Sequence, residues 1–202
     1  MPDSSTAINS GGYDRVTTSH GSFRIRETQN SGAMLDAVRN AKKTMSPNDR
    51  WRVDDTHSEA DYDKDKKFIS TGGSSFAISD DGDIISLAPN KEGDKGVTGS
   101  ALLQYAVSKG GRKLDSFDGN FDFYVKNGFE PVSWTRFNEE YAPADWRKGK
   151  DRPENVVFFR YNPKGAEKWT DKRSDDFYRS VAESADYDTA KAKRNRAMRG
   201  KR

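Results

Sequence analysis

Along the 202-residue chain the period of hydrophobic and polar positions changes several times, and each change marks an element. Residues 1–20 are rich in Ser, Thr, Gly and Asn without apolar periodicity, which predicts an extended or disordered arm. Ser22–Glu27 then alternates, with Phe23 and Ile25 on one face, and reads as a short strand. Asn30 or Ser31 caps a helix whose Met34, Leu35, Val38, Ala41 and Met45 recur at helical spacing, and Pro47 stops it. Residues 48–66 are acidic and polar, with Trp51 and Tyr62 as anchors and room for a short helix. From Lys67 the period shortens: Phe68–Ser79 and Asp83–Ala88 flank Asp80-Asp81-Gly82, a hairpin turn signal. A polar, glycine-containing loop over 89–99 leads to Ser100 as the cap of a helix, Ala101–Lys109, which Gly110-Gly111 ends. Arg112–Phe117 is a short strand and Phe121–Asn127 a short helix closed by Gly128. Phe129–Phe137 is a strand whose Pro131 places it at an edge or a bulge. After a long loop over 138–154, Asn155–Tyr161 is the most β-prone run in the chain. Beyond Pro163 the sequence is charged and helix-prone with sparse apolar positions, a helical arm. This order predicts an α/β or α+β sheet covered by helices: a body over 21–162 between arms over 1–20 and 163–202.

Composition sharpens that outline. Leu, Ile, Val and Phe together fall below the ~20% associated with disorder, but the high net charge that goes with disorder is missing. The 11 Phe, 8 Tyr and 4 Trp compensate, each able to bury about 150–250 Å². The formal charge of +3 hides an asymmetry: seven basic residues and no acid lie between Thr189 and Arg202, so the rest of the chain stands at −4. With no cysteine there is no disulfide framework, Cys-based zinc site or Cys nucleophile. His20 and His57 leave no basis for a metal site or a Ser-His-Asp triad, and the carboxylates of 54–65 lack the Gly and terminal Glu of an EF-hand. No apolar run suits a membrane span and the N-terminus is no signal peptide, so the expectation is a soluble, cytoplasmic protein in a reducing compartment.

The most informative chemistry is a strand, a glycine-containing loop and a helix in succession: IISLAP, NKEGDKGVTGS, ALLQYAV. A helix N-terminus preceded by glycines offers backbone N–H groups and a positive dipole end to a phosphate, and Lys91 and Lys95 add charge. The loop fits neither GxxxxGK[ST] nor GxGxxG, which excludes Walker-type and Rossmann readings. Taken with Gly99-Ser100-Ala101-Leu102-Leu103 and the later segment FYVKNGFEPV over 123–132, it resembles the GNAT superfamily of acyl-CoA-dependent N-acyltransferases. The likeness covers roughly residues 22–161, with its specific residues in 87–134, and is most similar to GNAT-like domains of phage and mobile-element proteins.

That resemblance implies a GNAT-like mixed, mostly antiparallel central sheet with helices on both faces. It implies acetyl-CoA as cofactor and an amine acceptor, whose identity the sequence does not give. It places Leu87 and Ala88 on the splayed strand that lends backbone groups to the pantetheine arm. Lys95, Gly96, Val97, Thr98, Gly99 and Ser100 fall at the pyrophosphate loop, and Tyr124 at the position of the general acid that reprotonates the CoA thiolate. A phenol with an ordinary pKa near 10 is protonated at neutral pH and suits that role. Asp94 stands where the family has Gln or Arg, Val97 where it has its first Gly, and no Glu lies on the IISLAP strand as a general base. Asp115 and Asp118 are the candidates to activate the amine through water. These departures keep open a second possibility: a catalytically degenerate GNAT-like subunit of a phage particle, tied to its neighbours by both arms. It would act in the bacterial host cell or within a virion. The basic tail, 189–202, is then a solvated helix end, a contact to nucleic acid phosphates, or a dock for an acidic protein. Trp134, Tyr141 and Trp146 either line an acceptor site or plug the sheet edge.

Overall fold

The structure, a computed structural model, describes residues 4–8 and 12–200. Residues 1–3, 9–11 and 201–202 of the predicted arms lie outside the described residues. The chain divides at Gly111, inside the predicted body, into two compact units, Met1–Gly111 and Arg112–Arg202. Each has its own antiparallel sheet with helices packed against it, so the expected mixed α+β class holds with two sheets in place of one.

The first unit carries strands β1 (Ser4–Ile8), β2 (Asp14–Thr18), β3 (Gly21–Thr28), β4 (Lys66–Ser70), β5 (Ser75–Ile78) and β6 (Ile84–Ala88), in that order across the sheet. Helices α1 (Ser31–Lys43), α2 (Pro47–Arg50) and α3 (Glu59–Tyr62) are inserted between β3 and β4, and α4 (Gly99–Ser108) follows β6. The alternation in β3 does what its sequence predicts: Phe23 and Ile25 are buried while Ser22, Arg24 and Arg26 face out. Asn30 caps α1 through its side chain, which accepts from the Ala33 N–H at 2.9 Å. Met34, Leu35 and Val38 of α1 pack with Tyr62 and Ala77. A second cluster holds Phe68 and Phe76, stacked at 4.8 Å, with Tyr105 of α4 edge-on to both.

Three expectations change here. Pro47 does not stop α1, which already ends at Lys43, but occupies the first turn of α2, where a missing N–H costs nothing. The predicted strand 68–79 breaks at Gly72-Gly73 into β4 and β5. Much of the predicted N-terminal arm is sheet: β1 pairs with β2, and β2 with β3. Only one β2 residue, Val16, is buried, so the strand is held by its backbone ladder and leaves almost no apolar period to read.

In the second unit the strands are β7 (Lys113–Phe117), β8 (Phe129–Thr135) and β9 (Val156–Tyr161), ordered β7-β9-β8. The most β-prone run thus takes the central place. Pro131 sits on the edge strand β8 beside an irregularity between Pro131 and Ser133, as its missing N–H requires. Helices α5 (Phe121–Lys126), α6 (Pro163–Ala166), α7 (Ser174–Ser180) and α8 (Tyr187–Arg199) surround the sheet. The predicted C-terminal arm is largely built in: Trp169, Phe177 and Ala190 are buried, and α8 packs on β8 and β9. Ser133 Oγ donates to the Ala190 carbonyl at 2.7 Å, and Arg160 to that of Ala197 at 2.7 Å. Of the basic tail, Arg194 is fully buried with its guanidinium over the Phe158 ring, while Arg196 and Arg199 face solvent. Sparse apolar residues hid this docking because arginine supplies part of the packing. Among the described residues no helix is long and apolar enough to cross a membrane.

Candidate functional site

Strand β6 is the last in its sheet and is irregular. Ser86 has φ +54°, and three steps along β6, from Ile85 to Ala88, match two along β5, from Ala77 to Ser75. This bulge re-aims the strand just where the sequence places Leu87 and Ala88; Leu87 is half-buried and Ala88 fully buried. The Ser86 hydroxyl meets the buried Tyr62 hydroxyl at 2.6 Å, which fixes the strained residue.

The loop from β6 to α4 is pinned by its own polar side chains. Asp94, the residue that would sit wrongly beside a pyrophosphate, is turned inward and buried. Its carboxylate accepts from Ser70 Oγ, the Gly72 N–H (3.0 Å), the Ser74 N–H (3.2 Å) and Ser74 Oγ (2.6 Å). It therefore ties the loop to the β4–β5 turn. Gly96 lies flat on the β2–β3 turn: Thr18 Oγ1 donates to its carbonyl at 2.8 Å, and a Cβ there would collide with the Ser22 backbone. Val97 is buried, whereas Lys91 and Lys95 are exposed. The helix cap is Thr98, whose Oγ1 accepts from the Ala101 N–H at 3.0 Å, and Gly99 and Ser100 form the first turn. The cap thus falls two residues before the predicted Ser100; either hydroxyl suits a cap, and the earlier one has the extended backbone a cap needs. The result is a ten-residue helix whose N-terminus follows a bulged edge strand, beside two exposed lysines, with the Asp94 carboxylate withdrawn and that of Glu92 facing solvent. That arrangement suits a phosphate-bearing ligand.

The other predicted residues belong to the second unit. Tyr124, on α5, is buried against Phe123, Phe129 and Phe159. Burial pushes its phenol up to about 12, opposed by a hydrogen bond with Ser116 and reinforced by the charge of Asp115. Asp115 on β7 is half-exposed and accepts from the Tyr187 hydroxyl at 3.0 Å. Tyr124, Ser116 and Asp115 thus form a neighbourhood. Asp118 does not join it: buried, it accepts from Arg152 Nη2 (2.7 Å), Tyr178 Oη (2.7 Å) and the Asn155 N–H (3.4 Å). Burial raises its carboxyl above the usual range, with the charge of Glu154 adding to the rise, although Tyr178 and Arg152 oppose it. Trp134 is buried, with Nε1 donating to the Val181 carbonyl, and Trp146 packs on Phe137, while Tyr141 is exposed. Sequence reasoning missed Ser116, Tyr178, Arg152 and Glu154. Ser116 had a signal, standing beside Asp115 in the same strand; Tyr178 lies sixty residues from Asp118 and had none.

No family model matches the chain, and no curated protein matches it. Among solved structures, one similar chain is a probable acetyltransferase of the GNAT family from Chromobacterium violaceum: 10% identity, 81% of this chain and 96% of that one, TM-score 0.38. Another is a GCN5-related N-acetyltransferase from Brucella melitensis: 14% identity, 84% of this chain and 87% of that one, TM-score 0.35.

Proposed function

We propose that the chain is a GNAT-like N-acyltransferase that takes acetyl-CoA and an amine. The observation that carries this reading is the bulged edge strand β6 running through a self-pinned loop into the Thr98-capped start of α4. With Asp94 turned away, the residues fit a pyrophosphate: Lys95 and the first-turn N–H groups of Gly99 and Ser100 would hold it, and the β6 backbone at Leu87 and Ala88 would hold the pantetheine arm. When bound, acetyl-CoA supplies the thioester and the acetyl group. Tyr124 keeps its proton across the neutral range, because its pKa lies near 12, and so holds a proton at Oη ready for donation. Asp115, half-exposed beside that tyrosine, suits proton acceptance from an amine through water better than Asp118, which is bonded to Arg152, Tyr178 and Asn155.

A second reading follows from one observation. Gly96, the glycine nearest the family's loop position, has its carbonyl bonded to Thr18 and its Cα face closed by Ser22. A loop so committed suits a degenerate GNAT-like subunit, such as one of a phage particle, that has lost its cofactor.

Calorimetric titration and thermal shift with acetyl-CoA separate the two. Binding is expected, with Lys95→Glu weakening it about tenfold, the loss of one charge-assisted contact. No heat and no shift in Tm at millimolar acetyl-CoA overturns the enzyme reading.

A further inference from the structure

The turn of the N-terminal segment into sheet has a consequence for its surface. The pairing sets Arg15 directly opposite Arg24, Thr17 opposite Ser22, and Asp14 opposite Ile25, so Tyr13 comes beside Arg26 on the same face. Tyr13 is half-buried; Arg15, Thr17, Ser22, Arg24 and Arg26 are all exposed. The Arg26 guanidinium lies 4.6 Å from the Tyr13 ring centre and that of Arg24 5.9 Å. Among the described residues none of the three arginines has a carboxylate partner: Asp14 and Glu27 point to the opposite face, where Asp14 is bonded to Tyr105 and Lys109. Like charges directly opposite on neighbouring strands destabilise a sheet, and nothing among the described residues relieves Arg15 and Arg24.

We propose that this face of the β2–β3 ribbon docks the phosphate backbone of a nucleic acid, without reading its sequence. Arginine, Ser, Thr and Tyr side chains are the groups that contact phosphates, and the face carries only these. The guanidinium fork matches a phosphate bidentately, and Arg24 and Arg26 stand about 7 Å apart along the strand. An acidic protein partner is the poorer fit: protein interfaces centre on an apolar anchor, and the one aromatic ring here is covered by Arg26. The absence of a free ring also argues against base stacking and for backbone contact alone. The proposal rests on the β2–β3 pairing and not on the acyltransferase reading, whose loop meets the ribbon at the β2–β3 turn through Gly96.

The test is fluorescence anisotropy of the full chain with labelled 20-nucleotide single strands and duplexes over a salt series. Intact protein is expected to bind sequences of different composition equally, with log Kd rising steeply with log salt. Arg15→Gln, Arg24→Gln and Arg26→Gln are each expected to lower that slope by about 0.7–0.9 without lowering Tm, the triple variant by the sum. The four-fold tail variant, with Lys191, Lys193, Arg196 and Arg199 changed to Gln, is expected to keep the slope within about one unit. An unchanged slope in the triple variant overturns the proposal, as does loss of binding confined to the tail variant. Displacement of the label by polyglutamate as effectively as by unlabelled nucleic acid at equal charge also overturns it, in favour of an acidic protein.

Discussion

Each unit holds a tyrosine–carboxylate–cation trio, and the two trios hold their carboxyl protons in opposite ways. In the first unit Asp14 accepts from Tyr105 Oη at 2.7 Å and pairs with Lys109 at 2.8 Å. In the second Asp118 accepts from Tyr178 Oη at 2.7 Å and pairs with Arg152 at 2.7 Å. The distances match, and both phenols are driven far above their ordinary range by burial and by the adjoining carboxylate. Yet the Asp14 carboxyl sits below its usual value and that of Asp118 above it. Burial pushes both up. At Asp14 the bonds to Lys109 and Tyr105 outweigh burial, while at Asp118 burial wins because the side chain is more enclosed and Glu154 adds a second negative charge. A hydrogen-bond count alone does not fix a carboxyl group's charge; the depth of the site and the sign of its next neighbour decide.

The largest expected effect breaks the deeper trio. Asp118→Ala removes the acceptor of the half-buried Tyr178 hydroxyl and of the Asn155 N–H, while the largely exposed Arg152 turns to water; the expected loss is about 3 kcal/mol. Asp14→Ala is expected to cost about 2 kcal/mol, because Lys109 is partly solvated and only Tyr105 is stranded. Urea unfolding monitored by circular dichroism checks the order; an equal or larger loss at Asp14 would remove the role given to depth.

The next effect lies in the pH dependence, where the trios have opposite signs. A carboxyl raised in the folded state binds its proton more readily there than when unfolded, so the stability that Asp118 contributes is present below the unfolded value near 3.9 and is lost as pH climbs through the folded value. Asp14, lowered on folding, contributes stability above that value and loses it as pH falls through its folded value. Asp118→Asn should therefore flatten the decline on the upper side of pH 4, and Asp14→Asn the decline on the acid side. Matching profiles for the two variants would erase the contrast. Glu154→Gln should move Asp118 toward Asp14, lowering its carboxyl titration as followed by NMR, because the repelling charge is gone.

The trios also mark where sequence stops informing structure. Strand β3 and helices α1 and α5 were legible because burial of one face writes a period into the residues, and strand β9, buried on both faces, because of its unbroken β-prone run. Strand β2 was not, since its single buried Val16 leaves no period and its stability comes from backbone pairing. The β6–α4 loop was legible as a loop, but the inward turn of Asp94 depends on Ser70, Gly72 and Ser74, some twenty residues earlier in a different turn. Tyr124 was legible as a candidate from its segment, whereas the burial that raises its phenol, reinforced by Asp115 and opposed by Ser116 of strand β7, comes from tertiary packing. Asp14 and Tyr105 lie ninety-one residues apart, and no local pattern joins them.

The smallest expected effect isolates the tyrosines. Tyr105→Phe and Tyr178→Phe each remove one hydroxyl donor and keep the ring, so each should cost about 1 kcal/mol at neutral pH, where the carboxylates are charged. Both phenols hold their carboxyl groups down, so both substitutions should raise the neighbouring carboxyl titration. The responses then diverge. Asp14 keeps the Lys109 ammonium at 2.8 Å and its carboxyl should move only part of the way toward the unfolded value. Asp118 is already raised and is left with a largely exposed Arg152 against a buried Glu154, so its carboxyl should climb further and the Tyr178→Phe protein should lose stability more steeply as pH rises. Carboxyl titration by NMR, with urea unfolding at two pH values, reads both. If the Asp118 titration stays fixed in Tyr178→Phe, the tyrosine is a spectator, and burial with Glu154 against Arg152 sets the state of that site.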